Sequence, residues 1–280
     1  MPDPEPITLA HSPDSDDAFM FYALADGRVD TEGLAFVHEI SDIESLNRRA
    51  LAGELAVTAV SFHAYAFLAE RYLLLPHGAS FGDGYGPVVV ARGPLSREEI
   101  AGGGVLVASP GETTTAALAL SLWAPGARAE VLPFDQILEA VTGGRFAAGL
   151  LIHEGQLTFR EKGLTEVVDL GRWWKEETGL PLPLGGNVVR RDLGAERIGR
   201  ISRALSRSIE YGLAHREAAL AHAMKYARGM DAGKADRFVA MYVNEWTRSY
   251  GPEGRRAVQT LLDQAHAAGL IPETRAEYAA

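Results

Sequence analysis

The sequence contains no cysteine in its 280 residues. Disulfide staples, thiolate nucleophiles and cysteine-ligated zinc are thereby excluded. It also lacks any run of about 18 apolar residues, the length a bilayer-spanning helix needs. The opening residues MPDPEP are acidic and proline-rich, with no basic segment leading into an apolar one. No secretory signal is read there, and the chain is expected in the cytoplasm. Cationic side chains are in the minority: 27 Lys and Arg stand against 37 Asp and Glu, a formal net charge of −10. Nucleic acid and anionic membranes are poor partners for such a surface, although a local pocket for a small anion remains open. The remaining composition, 47% hydrophobic and 23% charged, is that of a globular protein long enough to bury a large core in one domain or two.

Short apolar runs alternate with helical patterns. ITLA (7–10), LAFVHEI (34–40) and LAVTAVS (55–61) read as strands. Between and after them, 16–27, 42–53 and 62–72 read as helices, with Phe19, Tyr22 and Ala23 on one face of the first. SFGDGYGP (80–87) is glycine-rich, but PVVVARG follows it as an extended run rather than a helix, so it reads as a connection into a second unit. There the alternation resumes: strand 105–109, helix 113–124, strand 129–134, helix 135–144 and strand 146–153. The segment 167–191, interrupted by prolines and glycines, reads as a return crossing. Helical patterns over 197–227, with a break near His215, then 235–251 and 254–269, complete the chain. Alternation of this kind predicts parallel strands with crossover helices. The expectation is two α/β lobes, 1–88 with 190–280 and 89–189, enclosing a ligand cleft, with the terminal helices on the first lobe.

Open parallel sheets bind ligands beyond the C-terminal ends of their strands. The strands deliver His11 and Ser12, Ser61, Ser109 and His153 to those ends. SPGETTTA (109–116) opens a helix directly after a strand. Its free backbone N–H groups and the hydroxyls of Thr113, Thr114 and Thr115 suit a carboxylate or phosphate, and equally an ordinary N-cap. It is not a Walker loop, because the Lys-Ser/Thr pair is missing. His153 closes the apolar run AAGLLIH, either as an acid/base group or as a hydrogen-bonded loop histidine. HSPDSDD (11–17) reads as a helix start, with Ser12 at the N-cap, Pro13 at N1 and Asp14, Asp16 and Asp17 in the first turns, where negative charge complements the helix dipole. Its spacing matches no calcium loop. Neither HxH, HExxH nor G-x-S-x-G occurs, so no metal site and no serine-hydrolase elbow are expected.

ITLAHSPDSDDAFMFYAL, AVSFHAYAFL, SFGDGYGPVVVAR, GLLIHEGQLTF and DLGRWWKEETGLPLPLGGN, in that order over about residues 7 to 192, resemble the 1,4-dihydroxy-6-naphthoate synthases of the futalosine route to menaquinone. The resemblance implies a type II periplasmic-binding-protein fold used as a cofactor-free cytoplasmic lyase acting on cyclic dehypoxanthine futalosine. It implies His153 as general base, Ser61, Thr115 and Ala116 as ligand contacts and Asp17 as the aspartate closing the first motif. The place of HSPDSDD at the end of the first strand sets Asp17 and His11 at the rim of the cleft. Some members carry Lys-Leu-Ser where this chain has Ala59-Val60-Ser61, so a carboxylate here must lean on backbone N–H groups or an arginine. The alternatives are the sister enzyme chorismate dehydratase, disfavoured by LLIHEGQLTF and TGLPLPLGGN, and a non-catalytic binding protein for small carboxylates, disfavoured by the missing signal.

Overall fold

The computed structural model describes residues 6–226 and 231–280; most of MPDPEP and the last residue of the helical pattern 197–227 lie outside them. The first lobe begins with β1 (Ile7–His11), α1 (Ser15–Ala25), β2 (Phe36–Ile40), α2 (Ile43–Leu51), β3 (Val57–Ser61), the single turn α3 (Phe62–Tyr65), β4 (Tyr72–Leu74) and β5 (Ser80–Gly82). The second contains β6 (Val88–Ala91), α4 (Arg97–Ala101), β7 (Leu106–Ser109), α5 (Thr115–Trp123), β8 (Arg128–Val131), α6 (Ile137–Thr142), β9 (Ala148–Leu151), α7 (Gly155–Thr158), β10 (Thr165–Asp169) and α8 (Leu170–Thr178). The chain returns through β11 (Leu182–Arg190) and ends in α9 (Ala195–Ala214), α10 (Arg216–Ala223), α11 (Ala232–Tyr242), α12 (Glu245–Arg248) and α13 (Gly251–Ala267). Among the described residues no helix is long and apolar enough to cross a membrane.

One sheet runs β2-β1-β3-β11-β4 with β5 paired to β11, and the other runs β10-β6-β9-β7-β8. Both are mixed, a departure from the all-parallel expectation. β1 is parallel to β2 and β3, and β7 to β8 and β9, but β11 is antiparallel to β3, β4 and β5, and β6 to β9 and β10. The strands that carry the chain between lobes, β6 and β11, are the ones that run against their sheets. Segment 167–191 is therefore more than a crossing. It supplies an edge strand, a helix capped by the Asp169 carboxylate and stopped at Gly179, and the long strand β11 inside the first sheet.

The first helix also differs from its sequence pattern. It is buried on nearly every side, from Ser15 and Asp17 through Leu24. The reason is that α9, α10 and α11 lie over it and bring Ile198, Ile201, Leu205 and Ile209 to the same core as Phe19, Met20 and Ala23. Its N-cap is Asp14 rather than Ser12. β1 extends through His11, and the next residues form a tight turn in which Ser12 Oγ accepts from Asp14 N–H (3.1 Å) and Asp17 Oδ2 accepts from Ser12 N–H (2.7 Å). The hydroxyl expected to cap the helix is spent on that turn. The helix patterns 62–72 and 235–251 are likewise broken, the first after Tyr65 and the second at Val243 and Asn244, where the Asn244 side chain caps α12.

Candidate active site

A cleft lies between the sheets. The first lobe lines it with Ser12, Asp14, Asp16 and Asp17 from the β1–α1 turn, Ser61 at the end of β3, and Gly185 and Gly186 of β11. The second lobe contributes Thr114, Thr115 and Ala116 at the start of α5, with Ile152 and Gln156 beyond β9; Phe238 and Tyr242 of α11 close one side. Among the described residues lining it there is no lysine, arginine or histidine.

The donor wall is built by helix geometry. Thr114 is the N-cap of α5, and its Oγ1 accepts from Ala117 N–H (3.2 Å). The amides of Thr115 and Ala116, in the first turn, have no intrahelical acceptor and lie at the positive helix end. Thr115 Oγ1 accepts from His63 N–H (3.3 Å) and donates to the Leu184 carbonyl (2.5 Å). Ser61 is held by Asn47, whose Oδ1 accepts from Ser61 N–H (3.0 Å) and whose Nδ2 donates to Ser61 Oγ (3.2 Å). With its oxygen occupied as acceptor, the Ser61 hydroxyl keeps its proton for a ligand. Asn47 also donates to the Thr113 carbonyl (3.3 Å), and Glu44 Oε2 accepts from Thr113 N–H (3.1 Å) and Thr113 Oγ1 (2.9 Å). A β-carbon on Gly111 would stand 2.3 Å from Glu44 Oε2, so a glycine is what lets this loop approach the opposite lobe.

An acidic wall, made by Asp14, Asp16 and Asp17, lines the same cleft. Asp17 is fastened to Ser12 N–H, and burial raises its carboxyl to about 6 against the lowering effect of that bond. Asp16 is half-buried; its nearest side-chain donor is Ser80 Oγ at 3.5 Å. Burial, then the charge of Asp17, pushes Asp16 up to about 8. Among the described residues no group of three or more histidine, aspartate and glutamate side chains is arranged to hold a metal ion.

Asp17, Ser61, Thr114, Thr115 and Ala116, all singled out in the sequence, therefore meet in one cleft together with Ser12, Asp14 and Asp16. His153 stands just behind it. Its neighbour Ile152 lines the cleft, but the imidazole packs edge-on against Phe134 and both ring nitrogens are engaged. Nε2 donates to the Phe134 carbonyl (2.8 Å), and Nδ1 accepts from Gly155 N–H (3.0 Å) with Glu154 Oε2 3.6 Å away. A β-carbon on Gly155 would come within 2.9 Å of the ring, so a glycine is required for that amide contact. Burial depresses the His153 pKa, but the Glu154 contact, the Phe134 carbonyl and the charges of Asp14 and Glu154 together outweigh it and leave the pKa raised. The other buried oxygen of Glu154, Oε1, has no hydrogen-bond partner.

His11, placed at the rim by sequence reasoning, does not line the cleft. Its Nδ1 lies 2.9 Å from the Ser12 carbonyl, its Nε2 lies 3.3 Å from His38, and the ring packs on Phe21. Glu44, Asn47, Gln156 and Tyr242 escaped the sequence reading. Tyr242 donates to Gln156 Oε1 (2.8 Å), joining α11 to the second lobe on the side opposite the Glu44–Thr113 contact.

A family model described as menaquinone biosynthesis matches residues 7–267. A curated 1,4-dihydroxy-6-naphthoate synthase of Thermus thermophilus is 44% identical over 266 residues, 95% of this chain and 96% of that one. The enzyme of the same name from Streptomyces coelicolor is 40% identical over 273 residues, with 95% of each covered. A solved structure of a protein from Archaeoglobus fulgidus superposes with a TM-score of 0.90 at 48% identity, covering 95% of this chain and 98% of that one. The alkanesulfonate-binding protein of Xanthomonas axonopodis superposes at 0.70 with 10% identity over 97% and 96%, a likeness of fold alone.

Proposed function

The chain belongs to the menaquinone biosynthesis family, and from that premise we propose how its cleft works. The protein is an enzyme, a 1,4-dihydroxy-6-naphthoate synthase. Its substrate is cyclic dehypoxanthine futalosine, and it acts in the cytoplasm as a lyase. The lobes divide near residue 88 and, on the return, before β11 rather than at 189, because Leu182–Arg190 pairs with β3, β4 and β5 of the first sheet. The observation that carries the site assignment is the convergence of Ser61 from one lobe with Thr115 and Ala116 from the other on one cleft.

The naphthoate carboxylate lies on the donor wall. With no cationic side chain among the described residues lining the cleft, it is held by the Ser61 hydroxyl and the first-turn amides of Thr115 and Ala116, where the helix dipole favours negative charge. Donors fixed in this way also stabilise oxyanion charge as it develops, without reorganising. The lobes exclude water and hold the reacting groups in line.

His153 takes the proton. The Phe134 carbonyl fixes the ring as the Nε2–H tautomer, so the basic lone pair is on Nδ1. As the substrate seats, the ring exchanges its Gly155 contact for the substrate proton. The new Nδ1–H is then stabilised by the Glu154 carboxylate, 3.6 Å away. The raised pKa of His153 supports this pairing, because it records an environment that favours the imidazolium. We expect His153→Ala to bind 1,4-dihydroxy-6-naphthoate within about threefold of wild type while kcat falls by about 10²–10⁴. Steady-state turnover and a fluorescence titration measure the two quantities. Near wild-type turnover in the variant would remove His153 from the chemistry.

A further inference from the structure

The cleft contains a group that this mechanism does not use. We propose that Asp16 acts as a neutral carboxylic acid and donates a hydrogen bond to a substrate oxygen at the end of the ligand opposite its carboxylate. This rests on the synthase reading and adds a binding and specificity residue to it.

Asp16, from the first lobe, lines the same cleft as Thr115 and Ala116 from the second. The titratable groups near it are Asp14 and Asp17 on its own turn and helix, Glu154 from the second lobe and Tyr242 on α11. All are acidic or neutral, and among the described residues no cationic side chain lines the space. Asp17 is committed to Ser12 N–H at 2.7 Å and Tyr242 to Gln156 at 2.8 Å. The nearest side-chain donor to Asp16 is Ser80 Oγ, at the long distance of 3.5 Å, and the backbone amides of its own turn lie beside it. Asp16 and Asp17 are neighbours at the start of α1 and line the same cleft, so two ionised carboxylates there repel and the lower-energy arrangement keeps a proton on one of the two. Asp17 accepts the short Ser12 N–H bond, which stabilises its charged form more than the long Ser80 contact stabilises that of Asp16, so the proton resides on Asp16; burial, then Asp17, raises the Asp16 pKa against the lowering effect of its backbone amides.

The consequence is a polarised cleft: N–H and O–H donors for an anion at one end, a single O–H donor at the other. A dianionic ligand would be repelled from the acidic wall, whereas a hydroxyl or carbonyl oxygen is accepted there. No covalent change occurs at Asp16, which keeps its proton throughout.

The test compares wild type, Asp16→Asn and Asp16→Ala in kcat/KM for cyclic dehypoxanthine futalosine between pH 6 and pH 9.5. Asparagine retains a donor but cannot ionise. We expect wild-type kcat/KM to fall as the pH rises through about 8. Asp16→Asn should lie about 3- to 10-fold below wild type at pH 7 and lose that alkaline limb, and Asp16→Ala should lie about 100-fold below, mainly through KM. The proposal is overturned if the asparagine variant is as impaired as the alanine variant, or if the alkaline limb survives in it. Carboxyl ¹³C titration of wild type against Asp16→Asn reads the proton independently of turnover. If wild type turned over no substrate, the synthase reading would fail, and the Asp16 proton would still be decided by a resonance titrating near pH 8 that the variant lacks. Absence of that resonance overturns the proposal whatever the activity.

Discussion

His77 is buried between β4 and β5, with Nε2 3.1 Å from Ser202 Oγ and Nδ1 without a partner. Burial pushes its pKa down to about 4, against an ordinary value near 6.5. Below pH 6.5 the unfolded chain therefore binds a proton that the folded protein refuses. The stability from this residue is complete above pH 6.5 and is lost as the pH falls toward 4. We expect His77→Gln to remove about 1–2 kcal/mol of the stability difference between pH 7 and pH 5, read from urea midpoints at the two values. An unchanged difference would mean that the imidazole is protonated in the fold. The same scale shows what single residues reveal in sequence. Ser61 and Thr115 were legible because strand ends and helix starts are recognisable from apolar runs and capping residues. Glu44 and Asn47 were not: they sit within a helix pattern, and nothing in their spacing says that Thr113 will lie against them. Ser12 was misassigned as the cap because its hydroxyl serves equally well in the turn that precedes α1.

Among the elements, α5 supplies two of the proposed carboxylate contacts. Its capping hydroxyl, Thr114 Oγ1, satisfies Ala117 N–H and so holds the first turn in place where the carboxylate is proposed to bind. Thr114→Ala should cost about 1 kcal/mol of stability and weaken product binding by about 3- to 10-fold, with Thr114→Ser restoring most of both. Thermal denaturation and product titration would show this, and undiminished affinity in the alanine variant would place the carboxylate elsewhere. Elements also mark where sequence reasoning stopped. The alternation over residues 7–61 was legible because each strand is a short apolar run followed by a helical period. β11 was not, because Pro183, Gly185 and Gly186 disguise it. Proline and glycine are tolerated there because the pairing with β5 shifts register between Pro183 and Gly185. The helix α8 did carry signals, Asp169 as a cap and Gly179 as a left-handed stop. They were overshadowed by the prolines that follow.

At the scale of the whole molecule, the two lobes touch on both flanks of the cleft. Glu44 and Asn47 reach Thr113 on one flank; Tyr242 meets Gln156, and Lys234 pairs with Glu161, on the other. This arrangement brings Ser61, Thr115 and Ala116 to one cavity although they belong to different lobes and lie far apart in the sequence. No local pattern encodes that convergence; it follows from β6 and β11 carrying the chain out of one sheet and back into it. The most direct test is to incubate the purified protein with cyclic dehypoxanthine futalosine and follow the product by mass spectrometry. The account predicts catalytic, multiple-turnover release of 1,4-dihydroxy-6-naphthoate. Recovery of intact substrate, bound or free, would contradict it.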